Sequence, residues 1–263
     1  MAAQSHPATT VSLRGVGKTF ANGVTALSGF SFDVRDGEFV SLLGPSGCGK
    51  STALRIIAGL TAPGAGQADV LAGHRTAGEI GFVFQEPTLM PWATAADNVR
   101  LPFRLRGDAG AEAQRKVARA LEQVGLARFA QAYPRELSGG MKMRASIARA
   151  LVTEPRLLLM DEPFAALDEI TRFKLNNDLL ALWQMLRRTV VFVTHSVFES
   201  VYLSQRIVVM TPRPGRAFRE LVIDAPYPRD ERFRTSADYA GYCRRVSEAL
   251  AEAMAAGGAG EAA

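Results

Sequence analysis

Residues Gly44-Pro45-Ser46-Gly47-Cys48-Gly49-Lys50-Ser51 spell G-x-x-x-x-G-K-[ST], and their flanks decide how much the pattern means. Upstream, Glu38 to Leu43 is a short apolar run of strand type. Downstream, Thr52 to Leu60 carries Leu54, Ile57 and Leu60 at the spacing of one helix face. A strand, a glycine-rich turn and a helix in that order let backbone N–H groups wrap a triphosphate, because side chains at the glycine positions would block the approach. The helix directs its positive end at the phosphates, Lys50 reaches the β- and γ-phosphates as a mobile point charge, and the Ser51 hydroxyl is placed to ligate Mg²⁺. The expected ligand is ATP or GTP.

With 263 residues and 48% hydrophobic content, the chain can bury a sizeable core in one large α/β domain or two small ones. Met1 to Thr10 lacks apolar periodicity and Ala255 to Ala263 is an Ala/Gly tail, so both ends are expected to be mobile. No apolar stretch approaches the ~18 to 20 residues of a membrane span, and no basic-then-apolar leader opens the chain. The expectation is a soluble cytoplasmic protein. Cys48 and Cys243 do not form a disulfide framework. The net charge of +5 comes from basic residues scattered among acids, without interleaved aromatics, and the three histidines lack metal-ligand spacing. No nucleic-acid partner is expected.

Val11 to Leu13 and the alternating Phe30, Phe32, Val34 read as antiparallel strands ahead of the loop. Gly81 to Phe84, Leu157 to Met160, Val190 to Val193 and Ile207 to Met210 are continuous apolar runs, the pattern of strands buried on both faces. Helical periodicity separates them, notably over Lys116 to Val124 and Glu169 to Leu186. The fold class is therefore α/β: a nucleotide-binding core with a mostly parallel sheet, an antiparallel β subdomain, and an inserted helical subdomain over about 88–152. The core should span 11–210. A short extension over 211–254 follows, loop-rich around Pro212, Pro214, Pro226 and Pro228, with a helix from Ser236.

Leu157 to Met160 ends in Asp161 and Glu162, a carboxylate pair at the end of an apolar strand. Asp161 is placed to hold Mg²⁺ and Glu162 to polarise an attacking water as general base. Leu137-Ser138-Gly139-Gly140-Met141 precedes a second helix, Lys142 to Leu151. Ser138 can cap that helix while the glycines leave its N–H groups open to an anion. A single nucleotide does not need two such cradles in one subunit, so the simplest use of the second is across a dimer, on the γ-phosphate held by the partner's loop.

In these motifs and their order, from Val11 to about Met210, the chain resembles the nucleotide-binding subunit of ATP-binding cassette (ABC) transporters. The resemblance assigns Gly44 to Ser51 to Walker A, with Thr52 adjoining it, and Gln85 to the Q-loop. It assigns Leu137 to Met141 to the signature, Leu157 to Glu162 to Walker B, Ala165 to Asp168 to the D-loop, and His195 to the switch histidine. Phe20 falls where the family places an aromatic that stacks on adenine. Two departures stand out: Met141 where the family usually has Gln, and Ser196 where it usually has Asp after the histidine. Ser196 with Glu199 reads as a capping box.

The resemblance implies an ATPase in which two copies sandwich two ATP–Mg²⁺. Glu162 would orient water, His195 would contact the γ-phosphate, Gln85 would sense metal and water, and Asp168 would couple the two sites; Ser51, Gln85 and Asp161 are the metal contacts. It also implies a separate permease, docking near Met90 and Trp92 of Leu89-Met90-Pro91-Trp92, with a solute-binding protein as indirect partner and a place on the cytoplasmic membrane face. Pro87 to Trp92 and Pro212-Arg213-Pro214-Gly215-Arg216 resemble the nitrate/sulfonate/taurine importer branch. The competing classes are a soluble cassette ATPase in repair, translation or cluster assembly, a P-loop kinase or GTPase, and a silent regulatory subunit. A kinase or GTPase has no use for Ser138 to Gly140 and His195, and the intact Lys50, Asp161, Glu162 and His195 disfavour silence.

Overall fold

A computed structural model describes residues 8–73, 78–108 and 110–258. In chain order these form β1 (Thr9–Thr19), β2 (Thr25–Arg35), β3 (Phe39–Leu43), α1 (Lys50–Ile57), β4 (Ala65–Val70), β5 (Ile80–Val83), α2 (Ala95–Leu105), α3 (Ala111–Gln123) and α4 (Gly139–Leu151). Then come β6 (Leu157–Asp161), α5 (Glu169–Leu186), β7 (Thr189–Thr194), α6 (Val197–Leu203), β8 (Arg206–Met210), β9 (Ala217–Val222), α7 (Glu231–Arg234) and α8 (Ala237–Gly258). The chain divides into two compact units, one of Met1–Arg75 with Arg187–Ala263, the other of Thr76–Leu186.

In the first unit, β3 is buried at every position because parallel strands β7 and β8 flank it. Strand β9 adds to β8 in antiparallel sense. A separate antiparallel sheet, ordered β2-β1-β4, carries an apolar face of Val11, Leu13, Val16, Phe30, Phe32 and Val34. Alternation in β1 and β2 made those strands legible, whereas β4 (AGQADV) is mostly exposed and has too few apolar residues to announce itself.

Two expectations about the ends are corrected. Strand β1 starts at Thr9, which pairs with Arg35, and Thr10 is buried with its hydroxyl 3.2 Å from Asp36 Oδ1; residues 1–7 lie outside the described residues. Helix α8 runs to Gly258, continuing past the buried Ala249 and Ala253, and only 259–263 lie outside. The extension is also less loop-like than the prolines suggest. It supplies β9, and it packs on α6 through Tyr202 Oη to Arg229 O at 2.7 Å and Tyr239 Oη to Phe198 O at 3.0 Å.

The second unit is wider than the helical insertion expected at 88–152. It includes the parallel pair β5–β6 and all of α5. Between Thr88 and Val152 the described residues contain no strand, and α2, α3 and α4 enclose a core of Val99, Phe103, Val117, Leu121, Leu126 and Leu137. No helix among the described residues is long and apolar enough to cross a membrane.

Candidate functional site

The phosphate loop leaves β3 after Leu43 and turns into α1 at Lys50. Gly49 has φ +106°, and a Cβ there would lie 2.6 Å from the Ala26 carbonyl oxygen, so both the backbone conformation and the close approach to β2 require glycine. A Cβ at Gly44 would press on Cys48 Sγ at 2.9 Å. Cys48 is buried, which gives its thiol a packing role in the loop. From the far side, the Thr211–Arg216 turn closes against the loop: Gly215 bonds Ala26 and Ser28 through its backbone, and a Cβ on it would overlap the Cys48 carbonyl. Lys50 Nζ donates to the carbonyls of Gly44 and Pro45, both at 2.8 Å, so the charge sits over the loop's mouth.

Register brings His195 to the same sheet edge. Leu43 pairs with Thr194, so His195 leaves β7 beside the point where Gly44 leaves β3. His195 is exposed, while its neighbours are fixed. Ser196 caps α6 by accepting from the Glu199 N–H at 3.3 Å. Thr194 joins them: its Oγ1 accepts from the Ser196 N–H at 3.0 Å and donates to Glu199 Oε2 at 2.6 Å. Phe20, 40% exposed, sits in the turn after β1 with Lys18 Nζ 5.7 Å from its ring centroid.

In the second unit, β5 and β6 pair so that Val83 meets Met160. Gln85 lies two residues beyond the one, and Asp161 and Glu162 follow the other, which gathers these three at one edge. Glu162 has φ +45°, a left-handed conformation uncommon for side-chain-bearing residues. Ser138 caps α4, accepting from the Met141 N–H at 3.3 Å, and so the substitution at the signature's last position leaves the cap in place. Gly139 and Gly140 face the start of α5: a Cβ at Gly140 would lie 2.8 Å from Thr171 Cγ2 and one at Gly139 3.4 Å from Leu167 Cδ2. Asp168 caps α5, accepting from the Thr171 N–H at 2.9 Å, and that bond holds its carboxylate below the ordinary range.

Three side chains with structural control over these loops were not anticipated. Asn98, fully buried on α2, donates to the carbonyls of Met90, Ala93 and Thr94 and accepts from the Met90 N–H at 2.7 Å. This pins the segment from which Trp92 projects, 76% exposed. Arg149 on α4 grips Pro87 and Thr88, and Arg229 binds the end of α6. Nothing in local sequence distinguishes an arginine with such long-range partners, or an asparagine that folds its own preceding loop, from a solvated one.

A family model described as ABC transporter matches residues 27–165. The aliphatic sulfonates import ATP-binding protein SsuB 1 of Pseudomonas syringae pv. syringae is 47% identical over 226 residues, 86% of this chain and 91% of that protein. The corresponding SsuB of Bacillus cereus is 42% identical over 228 residues, 84% of this chain and 89% of the relative. Among solved structures, a dimeric ATP-binding cassette in a post-hydrolysis state bound to ADP and Pi superposes with TM-score 0.71 at 35% identity, over 82% of this chain and 100% of that one. On these matches the chain belongs to the ABC transporter family, as an ATP-hydrolysing, ATP-binding subunit.

Proposed function

We propose that two copies of this chain close on two ATP molecules and that the hydrolysis cycle drives a separate membrane permease importing a small anion of the sulfonate type. The observation that carries the composite site is the second glycine-faced helix start. Ser138 caps α4 while Gly139 and Gly140 leave its first N–H groups without shielding side chains, a cradle of the same physics as Gly49–Lys50 at α1. The dimeric, ADP- and Pi-bound relative supports the same arrangement.

Within it, Gly44 to Thr52 bind the phosphates, Lys50 neutralises them, and Phe20 stacks on adenine. Glu162 takes a proton from the attacking water, His195 contacts the γ-phosphate, and Ser138 to Gly140 reach the nucleotide of the partner copy. Asp168 couples the two sites. Ser51, Gln85 and Asp161 offer a hydroxyl, an amide carbonyl and a carboxylate, all hard oxygen donors of the kind Mg²⁺ takes. When bound, the ion would neutralise charge on the phosphoryl group in flight. Loss of the γ-phosphate removes what bridges the copies, and the shift in population toward the open dimer is the step available to move a permease.

Trp92 and Met90 are the proposed docking patch. Tryptophan and methionine suit interfaces, and Asn98 presents them on a rigid segment rather than a mobile one. A permease there would hold the chain on the cytoplasmic face of a membrane, and the sulfonate class follows the named relatives, with cargo chosen by permease and solute-binding protein.

Mixing two inactive variants tests the composite site. Lys50→Ala breaks the loop and Ser138→Arg the signature. Each should be inactive alone, and their mixture should regain turnover, because one site of a mixed dimer combines an intact loop with an intact signature. A mixture as inactive as its components would mean that each copy uses its own signature or none.

A further inference from the structure

Thr88 is a β-branched residue at φ +45°, a backbone region such residues occupy only when their surroundings hold them there. Arg149, in the last turn of α4, supplies the hold. Its Nη1 donates to the Thr88 carbonyl at 2.8 Å, and its Nη2 donates to the Pro87 carbonyl at 2.8 Å and to Thr88 Oγ1 at 2.9 Å. A planar fork reaches these three oxygens from two spaced nitrogens, whereas a lysine or glutamine offers a single donor nitrogen. The root of the fork is itself fixed, because a Cβ at Gly81 would lie 2.5 Å from the Ala150 carbonyl, so α4 lies hard against β5. Gln85 therefore stands on a three-residue span, Phe84 to Glu86, between Val83 in the β5–β6 pair and Pro87 in the grip of Arg149.

We propose that Arg149 is a positioning residue for Gln85: by latching Pro87 and Thr88 it sets where the Gln85 amide stands beside Asp161 and Glu162. The latch also ties the segment leading to Trp92 to the helix whose opposite end is the Ser138–Gly140 cradle. It touches no part of the site that holds nucleotide. The inference rests on the role proposed for Gln85 at the metal and attacking water.

Glycine adopts positive φ without strain, so Thr88→Gly should keep the loop's shape with little help from the latch. Arg149→Gln, Thr88→Gly and the double variant would be compared in the full chain by amide hydrogen exchange over 84–88 and by ATP turnover against ATP concentration. Arg149→Gln is expected to speed exchange in that segment and to lower kcat about tenfold or more through misplacement of Gln85, with the KM for ATP moved by less than about twofold. Thr88→Gly alone should stay near wild type, and the double variant should recover most of the lost kcat. A purely structural brace would not be rescued by glycine three residues from Gln85. Unchanged exchange in Arg149→Gln, faster exchange with unchanged kcat, or a double variant as slow as Arg149→Gln would each overturn the proposal. Exchange reads the latch even where turnover is absent, so an inactive wild-type chain with the exchange difference intact would count against the ATPase roles and not against the latch.

Discussion

Replacing Glu162 by glutamine is expected to lower ATP turnover by about 10²- to 10⁴-fold, the usual contribution of a positioned general base. ATP binding should persist, since the proposed contacts to the phosphates come from the backbone of Gly44 to Ser51 and from Lys50. The substitution keeps the side chain's length and its left-handed backbone, so it removes basicity and little else. The trapped state should appear as an ATP-dependent dimer by light scattering, and single-turnover hydrolysis gives the rate directly. Wild-type hydrolysis in a variant that binds ATP normally would mean another group, or none, activates the water.

Arg229→Met should be the most destabilising single change in the extension. Arg229 is 4% exposed, and its Nη1 donates to the carbonyls of Val201, Tyr202 and Ser204 at 2.9, 3.0 and 2.9 Å, its Nη2 to those of Ile223 and Ala225 at 3.3 and 3.1 Å. The guanidinium also lies 4.2 Å from the Tyr227 ring centroid. Burial pushes its pKa down, yet an arginine of this kind remains charged. That charge sits at the carbonyl end of α6, where a helix leaves acceptors unpaired and its dipole is negative, so desolvation is offset by five hydrogen bonds and not by a carboxylate. Removing the donors strands neutral buried carbonyls at about 1–3 kcal/mol each where no water replaces them, so a total of roughly 3–5 kcal/mol is expected. For a chain of this size that lowers Tm by roughly 10 °C, measurable by calorimetry. Arg229→Lys, which keeps the charge and three donors, should recover part of the loss. A fall of only a degree or two for methionine would mean that the ring and β9 contacts, not the arginine, hold α6.

What the sequence made legible is what chemistry constrains locally. The glycine-rich loop, Ser138 with its glycines, and Asp161–Glu162 are short patterns, and they stand at the start of α1, the start of α4 and the end of β6. Strands β3, β6, β7 and β8 were readable because burial leaves mostly apolar runs, and α5 occupies the expected span although Ile170 and Phe173 of its expected apolar face are exposed. Strand β9 was missed because it follows a proline turn and half of it faces solvent, so its alternation is diluted by Arg219 and Glu220. Asn98, Arg149 and Arg229 were missed for a different reason. Each acts on backbone carbonyls, within eight residues for Asn98 but up to 62 residues away for Arg149 and Pro87, and carbonyls carry no side-chain identity for a pattern to register. At Ser196 and Glu199 the local motif left out Thr194, which bonds to both residues from the end of β7.

Transport is separated from every soluble role by isolating the Glu162→Gln chain from its native membranes in ATP and Mg²⁺ and identifying the co-purifying chains by mass spectrometry. A polytopic permease, accompanied by a solute-binding protein and lost when Trp92→Ala is added, is the expected result. Soluble partners alone, or nucleic acid, would contradict the coupling of this ATPase to a membrane permease.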